Sequence, residues 1–155
     1  MDLAPDFKEL LEEFVREKVE FVIVGGYAVA FHGRPRATKD LDILLAGSAE
    51  NLERAARAAA RFGAPGNVVA ALRGMTTSEV VFMGQPPLRV DLLRAIDGVD
   101  TDAVFARAVE YDIDGLAVRV IGLDDLILNK RTAGRPQDLL DAEFLERVRA
   151  RGKQP

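Results

Sequence analysis

The chain has 155 residues, 48% of them apolar and 30% charged. That balance suits one globular domain spanning 1–155 and excludes disordered and fibrous classes. A net charge of −4 and the absence of cysteine argue against nonspecific wrapping of duplex DNA and exclude disulfide and cysteine–zinc chemistry.

No apolar run approaches a membrane span, and Met1 to Asp6 lacks the basic-then-apolar order of a signal peptide. The expectation is a soluble, cytoplasmic protein with no membrane partner and no sequence-specific DNA binding.

Phe7, Leu10, Leu11, Phe14 and Val15 recur at helical spacing and predict a helix over 5–18. A β-branched run over 20–24 predicts a buried strand, ending in Gly25-Gly26. A short helix opens at these glycines, and a loop holding Gly33 and Pro35 follows. Residues 41–46 predict a second strand, and 48–62 a helix capped by Ser48. The stretch 62–77 is the hardest to read, with a short strand expected at 68–72. Strands are expected at 79–83 and 88–93, then a helix at 100–108. Asp114-Gly115 predicts a hairpin between 110–113 and 116–121. Helices at 123–132 and 136–150 close the chain, the last one started by Pro136. This order predicts an α/β (α+β) fold, a mixed sheet of about five strands packed against helices, with C-terminal helices.

The chemistry concentrates in Lys39-Asp40-Leu41-Asp42-Ile43. On a strand, side chains two residues apart share a face, roughly 7 Å from each other. Asp40 and Asp42 therefore converge, while Leu41 and Ile43 point into the core. Two such carboxylates beside apolar neighbours need a positive partner. Magnesium is the natural one, since it takes hard oxygen ligands together with substrate phosphates. The plainer reading is a solvated strand edge paired with Arg36 and Lys39. A third carboxylate, Asp91, sits in the otherwise apolar run Leu88 to Leu93. If its strand lies beside that of Asp40 and Asp42, three carboxylates meet, enough for two metal ions about 3.5–4 Å apart. Gly25-Gly26, free of side chains, lets backbone amides approach a phosphate, although such a pair is also an ordinary tight turn.

The segment from Gly25-Gly26 through Asp40-Leu41-Asp42, with Asp91 on a later strand, resembles the signature of the DNA polymerase β-like nucleotidyltransferase superfamily. With His32-Gly33-Arg34 before the Asp pair, and Lys130, Arg131 and Asp138 near the C-terminus, it is most similar to AbiE-type toxin-like nucleotidyltransferases and their small relatives. The resemblance covers roughly residues 5–148. It implies a metal-dependent transfer of a nucleoside monophosphate from a nucleoside triphosphate (ATP among them) to a hydroxyl. Asp40, Asp42 and Asp91 would be the catalytic and metal-binding residues, holding two Mg2+ ions, or Mn2+. Gly25 and Gly26 would contact the triphosphate, with Arg36, Lys39 and Lys130 as further nucleotide-binding candidates. The acceptor implied is an RNA or tRNA end, a protein side chain or a small molecule such as an aminoglycoside, and a toxin–antitoxin partner is part of the same implication.

The competing function is an antitoxin-like or degenerate nucleotidyltransferase that binds a protein or nucleotide without turnover. The individual side chains also have plainer readings. His32, the single histidine, reads as packing, as does Tyr27. Arg34 and Arg36 are either loop charges or nucleotide and acceptor contacts. Lys130, Arg131 and Asp138 are otherwise helix-surface charges, worth little to stability.

Overall fold

The computed structural model describes residues 3–34, 38–85 and 87–152. Arg36, a nucleotide-binding candidate, lies outside the described residues.

The chain opens with α1 (Pro5–Arg16), whose buried stripe is Phe7, Leu10, Leu11 and Phe14. β1 (Phe21–Val24) is four apolar residues, all buried, and runs into α2 (Gly25–Phe31) with no intervening loop. β2 (Asp40–Leu45) returns antiparallel to it. α3 (Ala49–Phe62) starts at Ser48, whose Oγ accepts from the Asn51 amide at 3.1 Å, and stops at Gly63 in the left-handed region. Asn51 is fully buried and ties this helix to the sheet. Its Nδ2 donates to the carbonyls of Glu20 (2.9 Å) and Ala46 (2.8 Å), while its Oδ1 accepts from the Glu20 amide at 2.7 Å.

α4 (Gly66–Leu72) occupies the place where a strand was expected at 68–72. A run such as Val68 to Leu72 suits a buried strand and a buried helix turn alike. Here Pro65 at the N-cap and two alanines tip it to helix, with Val68, Val69 and Leu72 inward.

β3 (Val80–Met83) and β4 (Arg89–Leu93) form an antiparallel pair. α5 (Thr101–Arg107) is capped by Asp100, whose carboxylate accepts from the Ala103 amide. β5 (Val109–Ile113) and β6 (Leu116–Val120) make the expected hairpin, with Asp114 and Gly115 both at positive φ, 51° and 87°. α6 (Leu123–Ala133) and α7 (Pro136–Gly152) pack on each other across Gly134. Among the described residues no helix is long and apolar enough to cross a membrane.

The sheet has six strands, in the order β3-β4-β2-β1-β6-β5, where about five were expected. Two of its pairings are parallel, β2 with β4 and β1 with β6. The first of these positions the site. It sets Asp40 opposite Arg89 and Asp42 opposite Asp91, while Leu41, Ile43, Val90 and Leu92 of the same strands are buried. α3 packs against α1 and α4, and α2 touches both β2 and α6.

Candidate functional site

The alternation of β2 and β4 sorts their side chains. Asp40 and Asp42 on one strand, and Arg89 and Asp91 on the other, share a face because residues two apart on a strand point the same way. The register brings Asp42 and Asp91 side by side. The adjacency that the sequence left as a condition is met, and the three carboxylates line one open cavity of about 540 Å³ together with Gly25, Gly26, Lys130 and Arg135.

The glycine turn is packed directly against this cluster. Gly25 has φ +70°, and a Cβ built there would stand 2.9 Å from Asp42 Cγ and closer still to Oδ2. Any side chain at Gly25 would both strain the backbone and collide with the carboxylate.

Burial and crowding change the Asp42 carboxyl. Its pKa is pushed up to about 7, first by burial, then by the charge of Asp91, by a hydrogen bond shared with Asp91, and by Asp40. Lys130 acts in the opposite direction without offsetting these. At neutral pH a proton thus takes part of the place that a cation would take.

Arg89 takes another part. Its Nε donates to Asp91 Oδ1 at 2.8 Å, and its Nη2 donates to Asp91 Oδ2 at 3.2 Å and to Asp40 Oδ2 at 3.4 Å. Hydrogen bonding to Asp91 and the charge of that carboxylate push the guanidinium pKa up further. The guanidinium lies 4.8 Å from the centre of the Phe82 ring. Among the described residues, no group of three or more His, Asp and Glu side chains stands ready-made around a metal position. The donor chemistry nevertheless fits a hard divalent cation: three carboxylates on one face, one with its pKa pushed up by burial and by the other two, and two in contact with a guanidinium.

Lys130 is not the surface charge of the plainer reading. It is buried, and its Nζ reaches Asp138 Oδ1 at 3.2 Å and Asp141 Oδ2 at 3.5 Å, both carboxylates being buried as well. Arg135 adds a bidentate pair to Asp138, at 2.6 and 3.3 Å, from a side chain that is 77% exposed. Burial raises the Asp138 pKa, but the hydrogen bonds from Arg135 and Lys130 outweigh it and hold the carboxyl below its ordinary value. Arg34 joins the same network, with Nε 3.7 Å from Asp141 Oδ1 and Nη1 donating to the Leu140 carbonyl at 3.1 Å. Arg34 is thereby tied to α7.

The other sequence candidates fall outside this constellation. Lys39 is exposed and does not line the cavity; its carbonyl accepts from the Arg89 amide. Arg131 pairs with Glu146 at 2.8 Å. His32 donates through Nε2 to the Ile121 carbonyl at 2.7 Å, with its ring edge-on to Tyr111, which is a packing role. Tyr27 is buried against Phe7. Arg89 is the site residue that sequence reasoning passed over. Arg89 carries the same signal as the Asp pair, since it stands two residues before Asp91 on one strand.

Residues 4–154 match the family model described as "Nucleotidyl transferase of unknown function (DUF2204)". The fold is similar to that of the lincosamide antibiotic adenylyltransferase LnuA in its lincomycin-bound crystal structure. That match has a TM-score of 0.64 at 15% identity and covers 94% of this chain and 98% of that one. It is also similar to the solution structure of the antibiotic-resistance factor ANT(2'')-Ia, with a TM-score of 0.59 at 17% identity over 96% of this chain and 89% of that one. The crystal structure of ANT(2'')-Ia in complex with adenylyl-2''-tobramycin gives 0.56 at 16% identity over 93% and 92%. At such identities the likeness is one of fold. No curated protein matches the sequence.

Proposed function

This chain belongs to that nucleotidyl transferase family, and we propose that it transfers a nucleoside monophosphate from a nucleoside triphosphate to the hydroxyl of a small organic acceptor, at Asp40, Asp42 and Asp91. The observation that carries the reading is the pairing of Asp42 with Asp91 across β2 and β4, directly against the Gly25 turn.

The Gly25-Gly26 turn offers backbone amides, unobstructed by side chains, to the triphosphate. Asp40, Asp42 and Asp91 would hold the divalent cations, Mg2+ or Mn2+. When bound, such ions neutralise charge on the α-phosphate and on the departing pyrophosphate. Asp91 accepts the proton of the acceptor hydroxyl as its oxygen forms a bond to the α-phosphorus, and the bond from that phosphorus to the bridging oxygen breaks to release pyrophosphate. Arg135, at the cavity rim, steadies the phosphate tail. Lys130 supports it from beneath, held in place by Asp138 and Asp141. Fixed charges of this kind work because they are oriented before the reaction begins.

Support for a small acceptor comes from the neighbours of like fold, one bound to lincomycin and one to an adenylylated tobramycin. An RNA end or a protein side chain, in a toxin–antitoxin setting, is the other acceptor class that the sequence motifs imply. A binding-only role draws on a separate observation, the Arg89 guanidinium paired with both Asp40 and Asp91.

Pyrophosphate release in the presence of Mg2+, each of the four nucleoside triphosphates and a panel of hydroxyl-bearing acceptors tests the proposal. Release that depends on both metal and acceptor, and that Asp42→Asn abolishes, is the expected result. Equal release by Asp42→Asn would overturn it.

A further inference from the structure

Arg89 has no part in the transfer reaction as described, yet it makes the most direct contacts with the carboxylates. Its fork takes both oxygens of Asp91 and one of Asp40. Bidentate guanidinium–carboxylate pairs are the geometrically specific ones. The side chain is nevertheless 45% exposed, and exposed pairs of this kind are readily exchanged for solvent or another cation.

Its surroundings supply somewhere to go. Phe82, on the edge strand β3, stands in register opposite Asp91 and is 53% exposed. The guanidinium already lies over its ring, and an aromatic face attracts a cation that has lost its carboxylate. Three carboxylates crowded on one face must be compensated in the metal-free protein. The guanidinium of Arg89 does this for Asp40 and Asp91. A doubly charged ion bound to the same oxygens would face a fixed positive charge within contact distance, so the two cations exclude each other.

We propose that Arg89 is the resident counter-ion of the Asp40–Asp91 pair, competing with the divalent cation for these carboxylates and withdrawing along the Phe82 ring when the ion binds. This rests on the reading of the three carboxylates as a metal site. It adds that metal affinity is set by a residue that is not a ligand.

Manganese titration followed by electron paramagnetic resonance, on the full chain without nucleotide at pH 8, tests the competition. Arg89→Met keeps an unbranched stem against Phe82 and removes the charge. It is expected to bind Mn2+ at least fivefold more tightly than the native chain, with Arg89→Lys in between because one ammonium cannot take both oxygens of Asp91. In the native protein the Arg89 Nε–H resonance, identified by its loss in Arg89→Met, is expected to move with Mg2+ at the same midpoint as metal binding. Affinity in Arg89→Met no tighter than native, including no binding by either, overturns the inference, as does a resonance unmoved at saturating Mg2+. Asp42→Asn separates this failure from that of the metal site. Binding lost in Asp42→Asn but unchanged in Arg89→Met sinks the counter-ion role alone, whereas binding that Asp42→Asn leaves intact sinks the metal assignment.

Discussion

Gly25 and Asp42 are locked together: the backbone of one, at φ +70°, leaves the space that the carboxylate of the other fills. The first residue of α2 and the second carboxylate of β2 are thus a single packing unit, and the glycine turn cannot shift without moving the acidic cluster.

Gly25→Ala is therefore expected to cost more than backbone strain alone. A non-glycine residue in the left-handed region costs about 1–3 kcal/mol, and the methyl group must also displace Asp42. Gly33 provides the comparison, because it too has positive φ, 113°, but has open space where its Cβ would stand. Urea midpoints should place Gly25→Ala below Gly33→Ala, and equal losses would show that Asp42 yields freely.

Asp42 makes stability depend on pH. Its folded pKa of about 7 lies above the unfolded carboxylate value of about 3.9, so between these pH values the folded chain holds the extra proton. Stability from this group is full below pH 4, falls as pH rises through 7, and is flat beyond. Asp42→Asn removes the titration. In metal-free buffer at pH 8 it is expected to be more stable than the native chain by on the order of a few kcal/mol, and level with it near pH 4. A gap that does not widen with pH would contradict the burial of Asp42 and its crowding against Asp91.

Lys130 and Arg135 should separate cleanly. Lys130→Met removes the buried cation shared by Asp138 and Asp141, leaving them, among the described residues, the more exposed Arg135 and Arg34, and is expected to destabilise the fold by about 3–5 kcal/mol. Arg135 is largely exposed, so Arg135→Ala should alter stability by about 1 kcal/mol or less while raising the KM for the nucleoside triphosphate several-fold. Thermal melts and initial rates with varied nucleotide measure both. A destabilised Arg135→Ala with unchanged KM would reassign that residue to structure.

Local signals in the sequence carried much of this. The β1–turn–α2 unit, the Asp40/Asp42 face and the Asp114-Gly115 hairpin follow from spacing and turn chemistry, and all are found. Adjacency of β2 and β4 does not follow, because a parallel pairing is made by elements far apart in the chain, and only the fold decides it. The run over 68–72 has no period that tells strand from helix, and Pro65 and the alanines settled it. Burial of Lys130 escaped notice because its partners come from the next helix, three residues apart on one face of α7, a pattern that an ordinary surface helix also shows. Arg89 was legible in principle, since the two-residue rule applied to Asp40 and Asp42 also puts it beside Asp91.

The most direct measurement is a crystal structure grown with Mg2+ and a non-hydrolysable nucleoside triphosphate. The expected result is a metal ion on Asp40 and Asp42, Asp91 turned to the same centre, and the triphosphate lying along the Gly25-Gly26 turn. A nucleotide seated away from that turn, or a metal ion that leaves Asp91 in a separate environment, would contradict a transfer site built from these three carboxylates.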